Sequence, residues 1–298
     1  MWQRLDHLVV AVEALPAAER LWSQLLGRRA SWRGEHPGAG TANRLFRLGN
    51  TVLELLAPVG SGPLAEGLRK HLAERGEGLF AMALGTGEVG DCARQLADRG
   101  LHPGRPRRGM GRDVESGAFR EWTTVFLPAS DTRGVAIFGI QHHAPEEVLP
   151  PAPLLAAPEA CVDGLDHVVI RTRAPEAARA LYADRLGLRL ALDRRFPQWG
   201  VRLQFFRLAD ITVELAAELG VPEDPGSADR LFGLSWRVAD ANAARSRLVD
   251  AGIDVSPVRT GRKPGTRVAS VQLPGGAGGG VPTLLLEPRA SASSSASG

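Results

Sequence analysis

Apolar and polar positions alternate in short runs broken by glycine, and a longer helical period recurs between the runs. Gln3 to Val12 reads as a β-strand with one imidazole, His7, sharing a face with Val9 and Ala11. Leu15-Pro16 opens a helix through Leu21, Trp22, Leu25 and Leu26 that Gly27 stops. Strands follow at Ala42–Leu48 and Thr51–Ala57 across a Gly49-Asn50 turn, with Arg28–Arg33 as a further strand and 34–40 as a loop. The order strand, helix, strands returns with strands over 78–86, 122–127 and 134–141 and a helix over 89–99 ended by Gly100.

The second half repeats the first. Leu165-Asp166-His167-Val168-Val169-Ile170 copies Leu5-Asp6-His7-Leu8-Val9-Val10, and each histidine is followed 47 positions later by a glutamate, Glu54 or Glu214. A helix over 175–186 stopped by Gly187, strands to Phe206 and over 211–217, then strand 231–238, helix 241–251 and strands 267–273 and 283–287 complete the copy. The first units align at an offset of 160 and the later ones at 152. The expected organisation is an α+β fold with a first domain over 1–145 (modules 1–58 and 76–143) and a Pro/Ala-rich spacer over 146–161. A second domain follows over 162–288 (modules 162–218 and 229–288), then a Ser/Ala tail over 289–298. Few contacts are expected to cross between halves joined by such a spacer, so each half should fold alone.

Composition narrows the function. A net charge of +3 with 33 acidic residues interleaved among the cations argues against a nucleic-acid footprint. Cys92 and Cys161 are too few for a disulfide framework, and with neither a leader-like start nor a long apolar run the expectation is a cytoplasmic protein without a membrane partner. Gly275–Gly280 has no Lys-Ser/Thr after it and reads as a hairpin loop, not a phosphate cradle. Arg171, Ser235 and Arg237 share a strand face in the second half and could grip an anion by forked hydrogen bonds. His36 and His142-His143 could line a first-half cup, although loop histidines beside proline are commonly solvated.

These repeats, together with Leu53-Glu54-Leu55-Leu56-Ala57-Pro58 and Arg75-Gly76-Glu77-Gly78-Leu79, resemble the vicinal-oxygen-chelate superfamily. That superfamily includes glyoxalases, methylmalonyl-CoA epimerases, extradiol dioxygenases and bleomycin-resistance binders, and the first half looks most like the epimerases. The resemblance implies four βαβββ modules paired into two cups, each with up to four divalent-metal ligands. Carried over, the first-cup positions are His7, Glu54, Ala81 and Phe138, so only two ligands remain there. The second-cup positions are His167, Glu214, Gly233 and Glu287, a set of one imidazole and two carboxylates suited to Fe, Mn, Zn, Co or Ni without choosing among them. The expectation is a metal-dependent lyase, isomerase or dioxygenase acting on a small oxygenated substrate, with Glu214 or Glu287 as base and the homodimer question open. The alternative is a metal-free small-molecule binding or resistance protein using the apolar first cup.

Overall fold

The computed structural model describes residues 1–288; the expected tail over 289–298 lies outside the described residues. The first half runs β1 (Arg4–Ala11), α1 (Leu15–Leu26), β2 (Trp32–His36), β3 (Thr41–Arg47), β4 (Val52–Pro58), α2 (Pro63–Arg75), β5 (Gly78–Gly85), α3 (Val89–Asp98), β6 (Arg107–Asp113), β7 (Phe119–Phe126) and β8 (Ala136–His142). The second runs β9 (Val162–Arg171), α4 (Pro175–Arg179, continued by π-helical turns over Ala180–Arg185), β10 (Arg189–Phe196), β11 (Val201–Leu208) and β12 (Ile211–Glu218). Then come β13 (Arg230–Val238), α5 (Ala241–Asp250), β14 (Asp254–Val255), β15 (Arg259–Thr260), β16 (Arg267–Gln272) and β17 (Thr283–Glu287). The fold is α+β, as the periodicity predicts, and α1 ends where expected, with Gly27 left-handed and its N–H bonded to the Ser23 carbonyl. Helix α2 and strand β6 are additions that no regular apolar pattern announces.

The first-half strands close into a barrel, β1-β4-β3-β2-β6-β7-β8-β5, while the second half has the same order cut open, β10-β11-β12-β9-β13-β17-β16-β14. Closure rests on the pairing of Gly34 with Asp113 and Glu35 with Arg112. The Asp113 carboxylate fixes this seam by accepting from the Arg33 backbone N–H at 2.8 Å and from Ser116. At the matching place β14 is only two residues long, and the facing edge β10 carries Asp193, Arg194 and Arg195, charges that oppose strand addition.

Alternation sorts the side chains of β1: His7, Val9 and Ala11 face the barrel interior, while Leu8 and Val10 face outward. The outward set does not meet solvent. It joins Trp22, Leu55, Tyr182, Val213, Trp236 and Leu285 in one core that runs through both halves. Trp22 and Trp236 meet edge to face with centroids 6.4 Å apart. Polar contacts surround this seam. The Trp2 indole N–H donates to the Leu186 carbonyl at 2.8 Å, Arg247 donates to the Leu25 carbonyl at 2.9 Å, and Asn50 exchanges two bonds with the Leu165 backbone, both 2.9 Å. Arg133 pairs with the fully buried Asp229 carboxylate at 3.0 Å. Gly278, in the glycine-rich loop, packs against Trp22, and its N–H donates to Glu77.

Two expectations change here. The stretch 146–161 is not a free spacer, because Leu149 and Ala152 are buried and backbone bonds tie Ala152 to Arg47 and Arg29 to Pro153. Nor are contacts between the halves few, since each sheet's outward face is apolar and the other half covers part of it. Residues 162–288 produced alone should therefore bind a hydrophobic dye and lose a sharp thermal transition, because Trp236 and its neighbours would face water. A cooperative melt of that fragment would show that the seam is dispensable. In the full chain Trp236→Ala should cost about 3–5 kcal/mol in denaturant titration.

Candidate functional site

Inside the first barrel the polar side chains form one continuous chain of contacts. Asp6 is the residue before His7 and would normally face the other way, but the β1–β5 register shifts between Leu5 and His7, and this bulge turns its carboxylate inward. Asp6 Oδ1 accepts from His7 Nδ1 at 2.8 Å, and the same carboxylate meets His142 Nε2 at 3.0 Å and Arg4 at 3.1 Å. The other ring nitrogen of His7 lies 3.3 Å from Glu54 Oε2. Glu54 Oε1 accepts from Asn43 Nδ2 at 2.7 Å, Asn43 also donates to His36 Nε2 at 3.2 Å, and His36 Nδ1 donates to Thr41 Oγ1 at 2.8 Å.

Charge follows from these contacts. Burial works against a charged imidazole at His7, but the Asp6 hydrogen bond and the Glu54 charge outweigh it and hold its pKa above the ordinary value. Burial likewise opposes ionisation of Asp6, yet its bonds to His142 and His7 keep it well below the usual carboxylate range. His36 is pushed down by burial, which suits a neutral ring that accepts at Nε2 and donates at Nδ1.

The surroundings are of two kinds. On one side Val9, Ala11, Leu56, Ala81, Ala83, Phe138 and Ile140 form an apolar floor against which α2 packs Leu68 and Leu72. On the other, Trp122 lies over β6, where side chains at Gly109 and Gly111 would collide with its ring, and its edge faces His36 at 5.8 Å. At the mouth a cavity of 340 Å³ is bordered by Arg4, Asp6, Arg47, Val52, Arg120 and His142.

The second cup keeps only part of this arrangement. His167 Nδ1 donates to Asp166 at 2.7 Å, and its Nε2 stands 3.7 Å from Glu214. Leu203 occupies the register position of Asn43, so Glu214 has no amide donor, and burial raises its pKa despite His167 and Arg262. Glu287 is not in the cup. Leu284 pairs with Ser235 on the His167 face, and Glu287, an odd number of positions further, points to the opposite side, where it accepts from Ala241 N–H at 2.9 Å and Arg267 at 3.2 Å. Gly233 leaves room for the Pro282 carbonyl, 2.7 Å from where its Cβ would be. The expected anion grip does not assemble either. Arg171 lies over Phe232 at 3.7 Å, Arg237 pairs with Asp163 and Asp210, and the Ser235 hydroxyl is buried without a partner among the described residues.

A divalent ion, which the family resemblance implies, finds at the expected ligand positions one imidazole and one carboxylate in each cup, His7 with Glu54 and His167 with Glu214. Among the described residues no three His, Cys, Asp or Glu side chains converge as a ligand set. The donor set therefore does not fit a metal held by three or four protein ligands. His7 and Glu54 are brought together as predicted, and His36, at the end of β2 instead of in a loop, joins them. Asp6, Asn43 and Arg120 escaped the sequence reading: the bulge hid the first, and the other two lie on strands whose register only the fold reveals.

A closed barrel and an opened copy of it, each with an Asp-His-Glu series at the same place, define a duplicated cup. Residues 5–160 match the glyoxalase-like domain family, and residues 166–269 match the glyoxalase/bleomycin resistance protein/dioxygenase superfamily; the chain belongs to this vicinal-oxygen-chelate superfamily as two such units in tandem. The first half is similar to mitochondrial methylmalonyl-CoA epimerase of Homo sapiens, 27% identical over 135 residues, 45% of this chain and 71% of that protein. The whole chain superposes on a 4-hydroxymandelate synthase variant from Streptomyces coelicolor with a TM-score of 0.66 at 14% identity, covering 96% of this chain and 92% of that one. A hypothetical protein from Staphylococcus aureus gives 0.64 at 10% identity, covering 95% and 98%. The two superpositions establish the shared fold. No helix among the described residues is long and apolar enough to cross a membrane.

The raised pKa of His7 has a defined sign. Its stabilisation is complete below the unfolded-state value of about 6.5 and is lost as pH rises through the higher folded value. The depressed Asp6 contributes above about 3.9 and loses its share only as pH falls through its low folded value. The melting-temperature gap between wild type and His7→Gln should therefore be widest near pH 5 and shrink toward pH 9. A gap independent of pH would mean that the imidazolium is not the stabilising form.

Proposed function

We propose that the first barrel catalyses proton transfer on a small oxygenated molecule, an isomerase- or lyase-type reaction. The observation that carries this reading is the His7–Glu54 pair, held by Asp6 and Asn43 beside an apolar floor. The His7 ring nitrogen and the Glu54 carboxylate, 3.3 Å apart, give one site an acid and a base. Glu54 takes a proton from a carbon next to a carbonyl, the C–H electron pair moves to the carbonyl oxygen, and the His7 N–H supports the enolate oxygen that forms. Returning the proton to carbon completes the exchange. Asp6 fixes the imidazole orientation and offsets its charge.

No step of this reading passes through a metal ion. Dioxygenase chemistry of the superfamily's kind rests on a metal with a fuller ligand set than either cup's residues supply. A second reading, a binding protein without catalysis, is favoured by the apolar floor, which would hold a ligand whether or not a proton moves.

Deuterium incorporation into pyruvate, 2-oxobutyrate and phenylpyruvate in heavy water, followed by proton NMR, distinguishes the two. Wild-type protein should accelerate exchange of at least one acid, and Glu54→Gln should reduce that rate by about 100-fold or more. Tight binding with exchange no faster than in buffer would support the binder.

A further inference from the structure

We infer that Arg120 is the anchor for a monoanionic carboxylate, so that the ligand of the first barrel is a small organic acid entering through the mouth cavity. The reading rests on the proposed proton transfer only for what happens at the acid's inner end, not for its anchoring.

Arg120 lies on β7 with the same parity as Trp122 and borders the mouth cavity. Its guanidinium sits 5.6 Å from the centroid of the Trp32 ring, within cation–π range. The neighbouring arginines are already engaged. Arg4 is paired with Asp6 at 3.1 Å, and Arg47 donates to the Glu146 carboxylate at 2.5 Å and to the Leu149 carbonyl at 2.7 Å. Arg120 makes no hydrogen bond and no ion pair with any described residue, although it is largely withdrawn from water; burial depresses its pKa while Asp6 and Glu54 pull it back up. A partly buried guanidinium at the cavity mouth with no protein acceptor keeps its N–H groups open for a ligand that supplies acceptors.

The chemistry of that ligand follows from the rim. Two forked N–H groups match the two oxygens of a carboxylate. Asp6 and Glu146 also border the cavity, so its three arginines face two carboxylates, and with His142 counted as neutral the formal surplus is one positive charge. A monoanion balances it, whereas a phosphate dianion would meet repulsion from both acids. At 340 Å³ the cavity is at the small end for ligand pockets. Along β4, Val52 at the cavity precedes Glu54 by two positions on the same face, so an acid held by Arg120 directs its far end toward Glu54 and His7.

The experiment is calorimetric titration of the full chain with pyruvate, 2-oxobutyrate, phenylpyruvate, their methyl esters and inorganic phosphate. At least one acid should bind to wild type and to Glu54→Gln alike, while its ester and phosphate bind weakly or not at all. Arg120→Met should weaken acid binding by about 10- to 100-fold, with Arg120→Lys between, since lysine keeps the charge but not the fork. Near-ultraviolet circular dichroism of each variant establishes that the barrel is intact. If Arg120→Met binds the acid like wild type, if ester or phosphate binds as well as the acid, or if no acid binds to wild type, the anchor is wrong. Acid binding that depends on Arg120 with exchange unaffected by Glu54→Gln would leave the anchor standing and remove the proton-transfer reading.

Discussion

Each half of this chain is a curved sheet, and a curved sheet has two faces to cover. The concave face can be left partly polar to receive a ligand, but the convex face carries Leu8, Val10 and Leu55 in one half and Val213, Trp236 and Leu285 in the other, and such side chains must be removed from water. Short helices cover only part of that area, and the remainder is buried by the opposite half. Burying side chains of this size contributes about 1.5–3 kcal/mol each, which makes the seam comparable to the whole stability of an ordinary domain. The carbonyls at helix ends and strand ends are then within reach of Trp2, Arg28 and Arg247, which satisfy them across the seam.

Against this rigid background the first barrel can afford a buried polar chain. Asp6, His7, Glu54, Asn43 and His36 would each be destabilising alone in an apolar interior, and together each supplies a partner to the next. The second cup shows what happens when one link is lost. With Leu203 where Asn43 would be, Glu214 loses its donor and is drawn toward the neutral acid, and the same imidazole–carboxylate pair opens to 3.7 Å. Two copies of one motif thus differ in their hydrogen bonding because of one neighbouring strand position.

Much of this was legible in the chain itself. The duplicated Leu-Asp-His, the 47-residue spacing to Glu54 and Glu214, and the glycine stops of the helices were enough for the α+β class and the tandem repeat, while the placing of His7 with Glu54 in one cup came from the family resemblance. What was not legible depends on departures from regular alternation. A bulge turned Asp6 inward against strand parity, and on β17 the cup-facing position matching Phe138 is Leu284, so Glu287, implied by the family resemblance, faces away. Arg120 could not be found from spacing at all, because β7 enters the barrel through the β6 pairing, and β6, with its glycines and arginines, has no apolar rhythm. The linker misled for a related reason: prolines signal an extended path, and an extended path can still lie buried along a surface.

Strand β1 belongs to both regions at once, with His7 and Val9 directed into the barrel and Leu8 and Val10 directed into the seam. A slide of one residue would exchange the two sets, putting an imidazole among tryptophans and a leucine against Glu54, so the seam acts as a register lock on the site. The geometry of the first cup therefore depends on residues such as Trp236 and Leu285 buried on the other side of the strand. A duplicated half can thus be retained for the register it imposes on its neighbour, whatever its own cup does.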